Sequence, residues 1–199
     1  MKQTSFFKLK NSKAHGGDPS IGKRRSRRVL KLNKPLHVTL RSDFAYSGRS
    51  LLRHQIMINE VIKKASLRFR ISVYEKAICG NHLHILVRGK TRFEIQNFFR
   101  VVAGHTAQKI LEDNPIRINE KPKRGGALPY KKVNTCKHPK NQRKFWDALI
   151  YSRVLSSWGK EFRTVKNYIV QNTLEAMGII PYQQRRPRYA FQSGAVPSG

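Results

Sequence analysis

From Pro35 onward, apolar and polar positions follow a regular order along the chain. Leu36-His37-Val38-Thr39-Leu40 alternates strictly and reads as a strand, because successive strand side chains point to opposite faces. Ser50 to about Leu67 spaces Leu52, Ile56 and Ile62 for one side of a helix. Arg70–Tyr74 reads as a second strand and Ile78–Arg88 as a third. Thr91 with Glu94 three residues on has the form of a capping box, and Ile95, Phe99, Val102 and Ile110 give the following helix its inner face. Leu149–Leu155 reads as a fourth strand. Glu161–Met177 reads as a third helix, stopped by Gly178 and Pro181. The order β-α-β-β-α-β predicts an α+β, ferredoxin-like antiparallel sheet with two helices on one face. An additional C-terminal helix is then left for the other face.

Three segments depart from this pattern. Residues 1–34 hold His15-Gly16-Gly17 and the run Lys23-Arg24-Arg25-Ser26-Arg27-Arg28, with Asp18 as the only acid. They read as a mobile basic arm. Residues 114–144 carry Pro115, Pro122, Gly125-Gly126, Pro129 and Pro139, with Glu120 as the only acid, and read as a long basic loop. Residues 181–199 read as a basic, flexible tail. One domain over residues 35–180 is expected between arm and tail, a size that supports a proper core.

Composition changes the picture by naming a partner. Lys and Arg outnumber Asp and Glu by 41 to 11 in 199 residues, a net charge of +30. Neutralising phosphates releases counterions, so nucleic acid is the leading partner and an anionic membrane surface the weaker one. A basic run can also be no more than a solvated tail. The arm residues Lys23, Arg24, Arg25, Arg27 and Arg28, the loop residues Lys123, Arg124, Lys131 and Lys132, and Arg41, Arg88 and Arg100 are candidate nucleic-acid contacts. No apolar run approaches the ~20 residues of a membrane span, and no secretion signal is expected. Cys79 and Cys136 lie far apart without a CxxC pair, so a reducing cytosol is the default.

The chemistry concentrates in two places. Asn81-His82-Leu83-His84-Ile85 puts two imidazoles on one strand face, backed by an apolar face. Two histidines at this spacing are aimed together but do not complete a metal site, and the spacing alone also suits an ordinary strand. On the last helix, Tyr168 and Asn172 are four residues apart and share a face, offset from the apolar stripe of Phe162, Val165, Ile169 and Ala176. Tyr168 suits either a border tyrosine that anchors the helix or a nucleophile. A phenol attacks poorly at neutral pH because its ordinary pKa is ~10, so it needs a phosphate polarised by a cation. Asn172 can supply an oxygen ligand to such a cation, and Mg²⁺ or Mn²⁺ suits oxygen donors, with Mn²⁺ also accepting imidazole. His37, on the first strand, can neighbour the site, but a structural role is expected of it. Acidic residues are too few and scattered for a carboxylate-built nuclease, and no phosphate loop for ATP is present.

Taken together, Gly80-Asn81-His82-Leu83-His84-Ile85-Leu86-Val87, Phe145-Trp146 and Asn167-Tyr168-Ile169-Val170-Gln171-Asn172 resemble, in order and spacing, the single-tyrosine HUH transposases of bacterial insertion sequences. The likeness is greatest to the REP-associated tyrosine transposase branch and covers roughly residues 35–180. It implies a divalent cation, Mg²⁺ or Mn²⁺, on His82, His84 and Asn172, and Tyr168 attacking a scissile phosphate in single-stranded DNA. The products would be a 5′-phosphotyrosine link and a free 3′-hydroxyl, with no ATP consumed. It further implies DNA with hairpin or palindromic structure as partner, a bacterial cytoplasmic, nucleoid-associated location, and either a monomer or a homodimer. The basic segment at 114–144 and the arm are long for that pattern. A nucleic-acid-binding protein without catalysis, such as a domesticated regulator or an RNA-binding ferredoxin-like module, is the alternative, with a basic structural protein behind it.

Overall fold

A computed structural model describes residues 14–17, 28–117, 120–123, 144–156 and 158–183. Five strands form one antiparallel sheet: β1 (Ala14–His15), β2 (Leu36–Arg41), β3 (Ser72–Ile78), β4 (His82–Arg88) and β5 (Tyr151–Val154), in the spatial order β1-β5-β2-β4-β3. Three helices accompany it: α1 (Gln55–Arg68), α2 (Arg92–Asp113) and α3 (Lys160–Ala176). Without β1, the strand order is that of the ferredoxin-like arrangement expected from the sequence.

The two periodicities divide the molecule into layers. Leu36, Val38 and Leu40 of β2 and Leu83, Ile85 and Val87 of β4 are almost fully buried, and they pack with Ile58, Ile62, Phe98 and Val102 of α1 and α2. Burying each such side chain stabilises the fold by about 1.5–3 kcal/mol. Thr91 and Glu94 form the capping box at the start of α2, with Glu94 N–H donating to Thr91 Oγ1 at 3.2 Å and Thr91 N–H to Glu94 Oε2 at 3.0 Å. Ala77 and Leu86 on the opposite face meet Val165 and Ile169 of α3 and, beside them, Leu155 in a second apolar cluster. The sheet is therefore covered on both sides, and α3 lies on the face that carries the histidines.

Several boundaries shift for physical reasons. The first helix begins at Gln55 rather than Ser50, after a 3-10 turn at Ser47–Arg49. Leu51 N–H there donates to Gly80 O at 2.9 Å, which holds the chain against the β3–β4 turn before the helix can start. The third strand begins at His82 because Cys79–Asn81 makes that turn, and β3 runs on to Ile78 with a register shift between Val73 and Glu75. The fourth expected strand is confined to Tyr151–Val154.

Strand β1 comes from within residues 1–34 and pairs Ala14 with Arg153 and His15 with Ser152. Gly16 and Gly17 follow at φ of 80° and 70°, conformations that glycine adopts without strain. A Cβ on Gly16 would sit 2.2 Å from Ile150 O, so only glycine lets this segment lie against β5. Arg28 is fastened to the same strand, donating to Ile150 O at 2.9 Å and Ser152 Oγ at 2.5 Å, with its guanidinium over the Phe99 ring. The described part of the arm is thus built onto the sheet.

Candidate active site

Strand register assembles the site. Thr39 pairs with His84 and Arg41 with His82 across β2 and β4, while β5 sets Arg153 opposite His37 and Tyr151 opposite Thr39. His37, Thr39, Arg41, His82, His84, Tyr151 and Arg153 therefore share the face under α3. Ala77 pairs with His84 on the other side and is 1% exposed. A small side chain at that point gives α3 room to approach the strand. The helix is held there by Ile169 and Val165, by Thr173 Oγ1 donating to Lys76 O at 3.3 Å, and by Cys79 Sγ donating weakly to Asn172 O at 3.9 Å. Its first turn is anchored through Glu161, which accepts from Ser156 N–H and from Arg153 Nη2, both at 2.5 Å.

This packing brings the Tyr168 ring against the histidines. Its centroid lies 5.3 Å from that of His84 and 6.0 Å from that of His37, edge-on to both. The His82 and His84 rings are 4.9 Å apart, and His37 stacks on His84 at 5.2 Å. His84 is 5% exposed, whereas His82 and Tyr168 are half-buried. Asn172, 4% exposed, follows one turn after Tyr168, and its Nδ2 donates to Tyr168 O at 2.6 Å.

The donor chemistry fits a divalent cation. Asn81 Oδ1 lies 2.8 Å from His82 Nδ1. An amide oxygen only accepts, so Nδ1 carries the proton and Nε2 keeps the lone pair a metal needs. Of the Asn172 amide atoms, Oδ1 is the one of ligand character, since the nitrogen only donates. Among the described residues, no group of three or more His, Cys, Asp or Glu side chains is arranged to hold a metal. The donors expected from the sequence are two imidazoles, His82 and His84, and the amide oxygen of Asn172.

The candidate phosphate contacts fall in different places. Arg41 is exposed at the edge of the site, with Nε 3.5 Å from Asp43 Oδ1. Arg88, on the same strand face as the histidines, lies over the Trp158 ring at 5.6 Å. Arg28 is engaged with β5, and burial, then the nearby Arg92, lower its pKa from the ordinary value. Arg100 is exposed on α2, across the sheet from the histidines. Lys123 is exposed, its backbone N–H donating to Asp43 O at 3.1 Å. Lys23, Arg24, Arg25, Arg27, Arg124, Lys131 and Lys132 lie outside the described residues.

Sequence reasoning gave no site role to three neighbours of the histidines: Thr39, Asn81 and Tyr151. Alternation alone puts His37 and Thr39 on one face, but only the register of β2 against β4 shows that the face is shared with His84.

Comparison with known proteins agrees with this architecture. Residues 48–126 match the family model described as "Transposase IS200 like", a segment that includes both histidines of β4 and ends before α3. A REP-associated tyrosine transposase bound to a REP hairpin shares the fold, at TM-score 0.50 and 12% identity, over 76% of this chain and 73% of that one. A Deinococcus radiodurans R1 protein assigned as a transposase aligns at TM-score 0.38 and 13% identity over 75% of this chain and 97% of that one, too loosely to bear on the fold. No curated protein matches. Residues 48–126, which hold the histidine strand, are thus similar to IS200-like transposases, and the chain shares its fold with a REP-associated tyrosine transposase.

Proposed function

We propose that this protein is a divalent-cation-dependent transposase and endonuclease that cuts and rejoins single-stranded DNA through a 5′-phosphotyrosine intermediate. The observation that carries the proposal is the Tyr168 ring beside His84 and His37 within one chain. The family match supports a DNA-cleaving role but stops before this tyrosine.

His82 Nε2, His84 and Asn172 Oδ1 would hold Mg²⁺ or Mn²⁺. A cation bound there supplies Lewis-acid polarisation of the scissile phosphate. Tyr168 Oη attacks phosphorus, the bond from phosphorus to O3′ breaks, and the phenolic proton is given up while O3′ gains one. The DNA 5′ end stays on Tyr168 as a phosphodiester. A 3′-hydroxyl attacking that link reverses the step and joins strands without ATP, because the covalent link conserves the energy of the phosphodiester. Burial of His84 and the anchoring of α3 fix the nucleophile relative to the ligands before DNA arrives, the condition for an oriented displacement. Arg41 at the edge of the site and the net charge of +30 suit a polyanion. Single-stranded DNA carrying a hairpin is the proposed partner, by analogy with the hairpin-bound REP-associated enzyme.

The test is a labelled hairpin single strand incubated with protein and Mg²⁺ or Mn²⁺, then denaturing electrophoresis. A protein–DNA adduct is expected that vanishes with EDTA, with Tyr168→Phe and with His82→Ala. Salt-sensitive binding that persists with no adduct from the wild type on any hairpin supports the non-catalytic reading instead.

A further inference from the structure

We infer that His37 is a positioning residue that sets the tautomer of His84 and so makes its Nε2 available to the cation; this rests on the metal reading given above. His84 Nδ1 lies 3.2 Å from His37 Nε2 and 3.0 Å from Thr39 Oγ1. A neutral imidazole has one donor and one acceptor nitrogen. If His84 accepts a hydrogen bond at Nδ1, its Nε2 bears the hydrogen and cannot ligate. If His84 donates from Nδ1, Nε2 carries the lone pair.

Thr39 alone does not decide between these states, because its hydroxyl rotates and serves as donor or acceptor. His37 decides. Its ring is stacked on His84 at an interplanar angle of 27°, packed edge-on against Tyr168 at 6.0 Å and against Tyr151 at 6.5 Å. These contacts restrain its Nε2 toward His84 Nδ1. With the lone pair on His37 Nε2, the His84 Nδ1–H donates to that nitrogen and His84 Nε2 becomes a ligand. His82 shows the same logic with a different partner, since Asn81 Oδ1 takes its Nδ1–H. Each proposed imidazole ligand thus has a dedicated acceptor behind it, as metal-bound histidines commonly do.

The substitutions that separate positioning from packing are His37→Leu, which fills the space without an acceptor, and His37→Gln, whose amide oxygen accepts from Nδ1–H. Mn²⁺ affinity of the intact chain is read directly by electron paramagnetic resonance of the free ion, without DNA, and circular dichroism confirms folding. His37→Leu should weaken Mn²⁺ binding about 10–100-fold, the usual cost of losing such an outer partner. His37→Gln should recover most of the affinity, and His37→Leu with Thr39→Val should bind more weakly than either single change. Wild-type affinity in His37→Leu overturns the inference, and so does equal loss in His37→Leu and His37→Gln. If His37→Leu does not fold, His37→Gln still tests the inference: affinity as low as that of His82→Ala contradicts it. A wild-type chain that takes up no Mn²⁺ overturns the metal reading itself, a result distinct from every outcome above.

Discussion

At the residue scale, the two halves of the site answer to different forces. His82 and His84 are aimed by strand geometry, which is local and survives any packing of the helices. Tyr168 is aimed only by the apolar contacts of its helix. The two kinds of loss should separate in experiment. Tyr168→Phe keeps the ring and its packing, so the melting temperature should stay within a few degrees of the wild type while adduct formation is lost. Ile169→Ala, at a fully buried position against Leu86 and Ala77, should cost about 2–5 kcal/mol. Differential scanning calorimetry reads that loss. Cleavage should fall further than the fraction unfolded accounts for, because the helix that carries the proposed nucleophile is the element loosened. Equal losses of cleavage and folded fraction would argue against α3 as the element that places Tyr168.

Among the elements, the described part of the segment after α2 is held by Arg49 and Tyr46. Arg49, 8% exposed, donates to Phe44 O, Pro115 O and Glu120, and Tyr46 Oη donates to Glu120 as well. The Tyr46 bond above all, then Arg117 N–H and Arg49, hold the Glu120 carboxyl below the usual carboxylate range, against the opposing effect of burial. A lowered folded-state pKa makes this stabilisation complete above the ordinary value of ~4.3 and lost as pH falls through the folded value. Proteolysis or hydrogen exchange at residues 114–123 should therefore quicken below about pH 4, since the ordinary carboxylate value marks where the loss begins. Glu120→Gln should remove the dependence and cost about 1–3 kcal/mol, leaving Arg49 poorly paired. An unchanged acid profile in Glu120→Gln would show that other carboxylates control this segment.

What could be read from the sequence divides along the same lines. Strands and helices that bury one face reveal themselves by period, so β2, β4, α2 and α3 fall close to their expected places, and the capping box fixed the start of α2. Strand β1 has two residues and no period to detect, and what holds it is the space cleared by Gly16 beside Ile150. Likewise the histidine pair and the Tyr168–Asn172 spacing are local and visible. Their meeting depends on the small Ala77 beside His84 and on a helix crossing that no local pattern states. His37 and Thr39 join the group through register alone.

For the molecule as a whole, charge and chemistry occupy separate tasks. His37, His82, His84 and Tyr168 gather on one face of the sheet, and no helix among the described residues is long and apolar enough to cross a membrane. The excess of Lys and Arg is spread over the chain, so it acts on affinity more than on the chemical step. Binding of a single strand should weaken steeply with salt, with log K falling by roughly 0.7 per phosphate neutralised for each unit of log salt. Tyr168→Phe and His82→Ala should keep that slope, measured by fluorescence anisotropy. A flattened slope in either variant would place these residues in phosphate binding instead.

The most direct measurement is the site of covalent attachment. After reaction with a hairpin single strand and Mn²⁺, trypsin and nuclease should leave one peptide, beginning at Asn167, that carries a nucleotide through its 5′ phosphate. That peptide also contains Tyr182, so fragmentation must place the mass on one ring. Attachment at Tyr168 is the expected result. A nucleotide on Tyr182, on any other residue, or on no residue while the DNA is nonetheless cut would contradict the account.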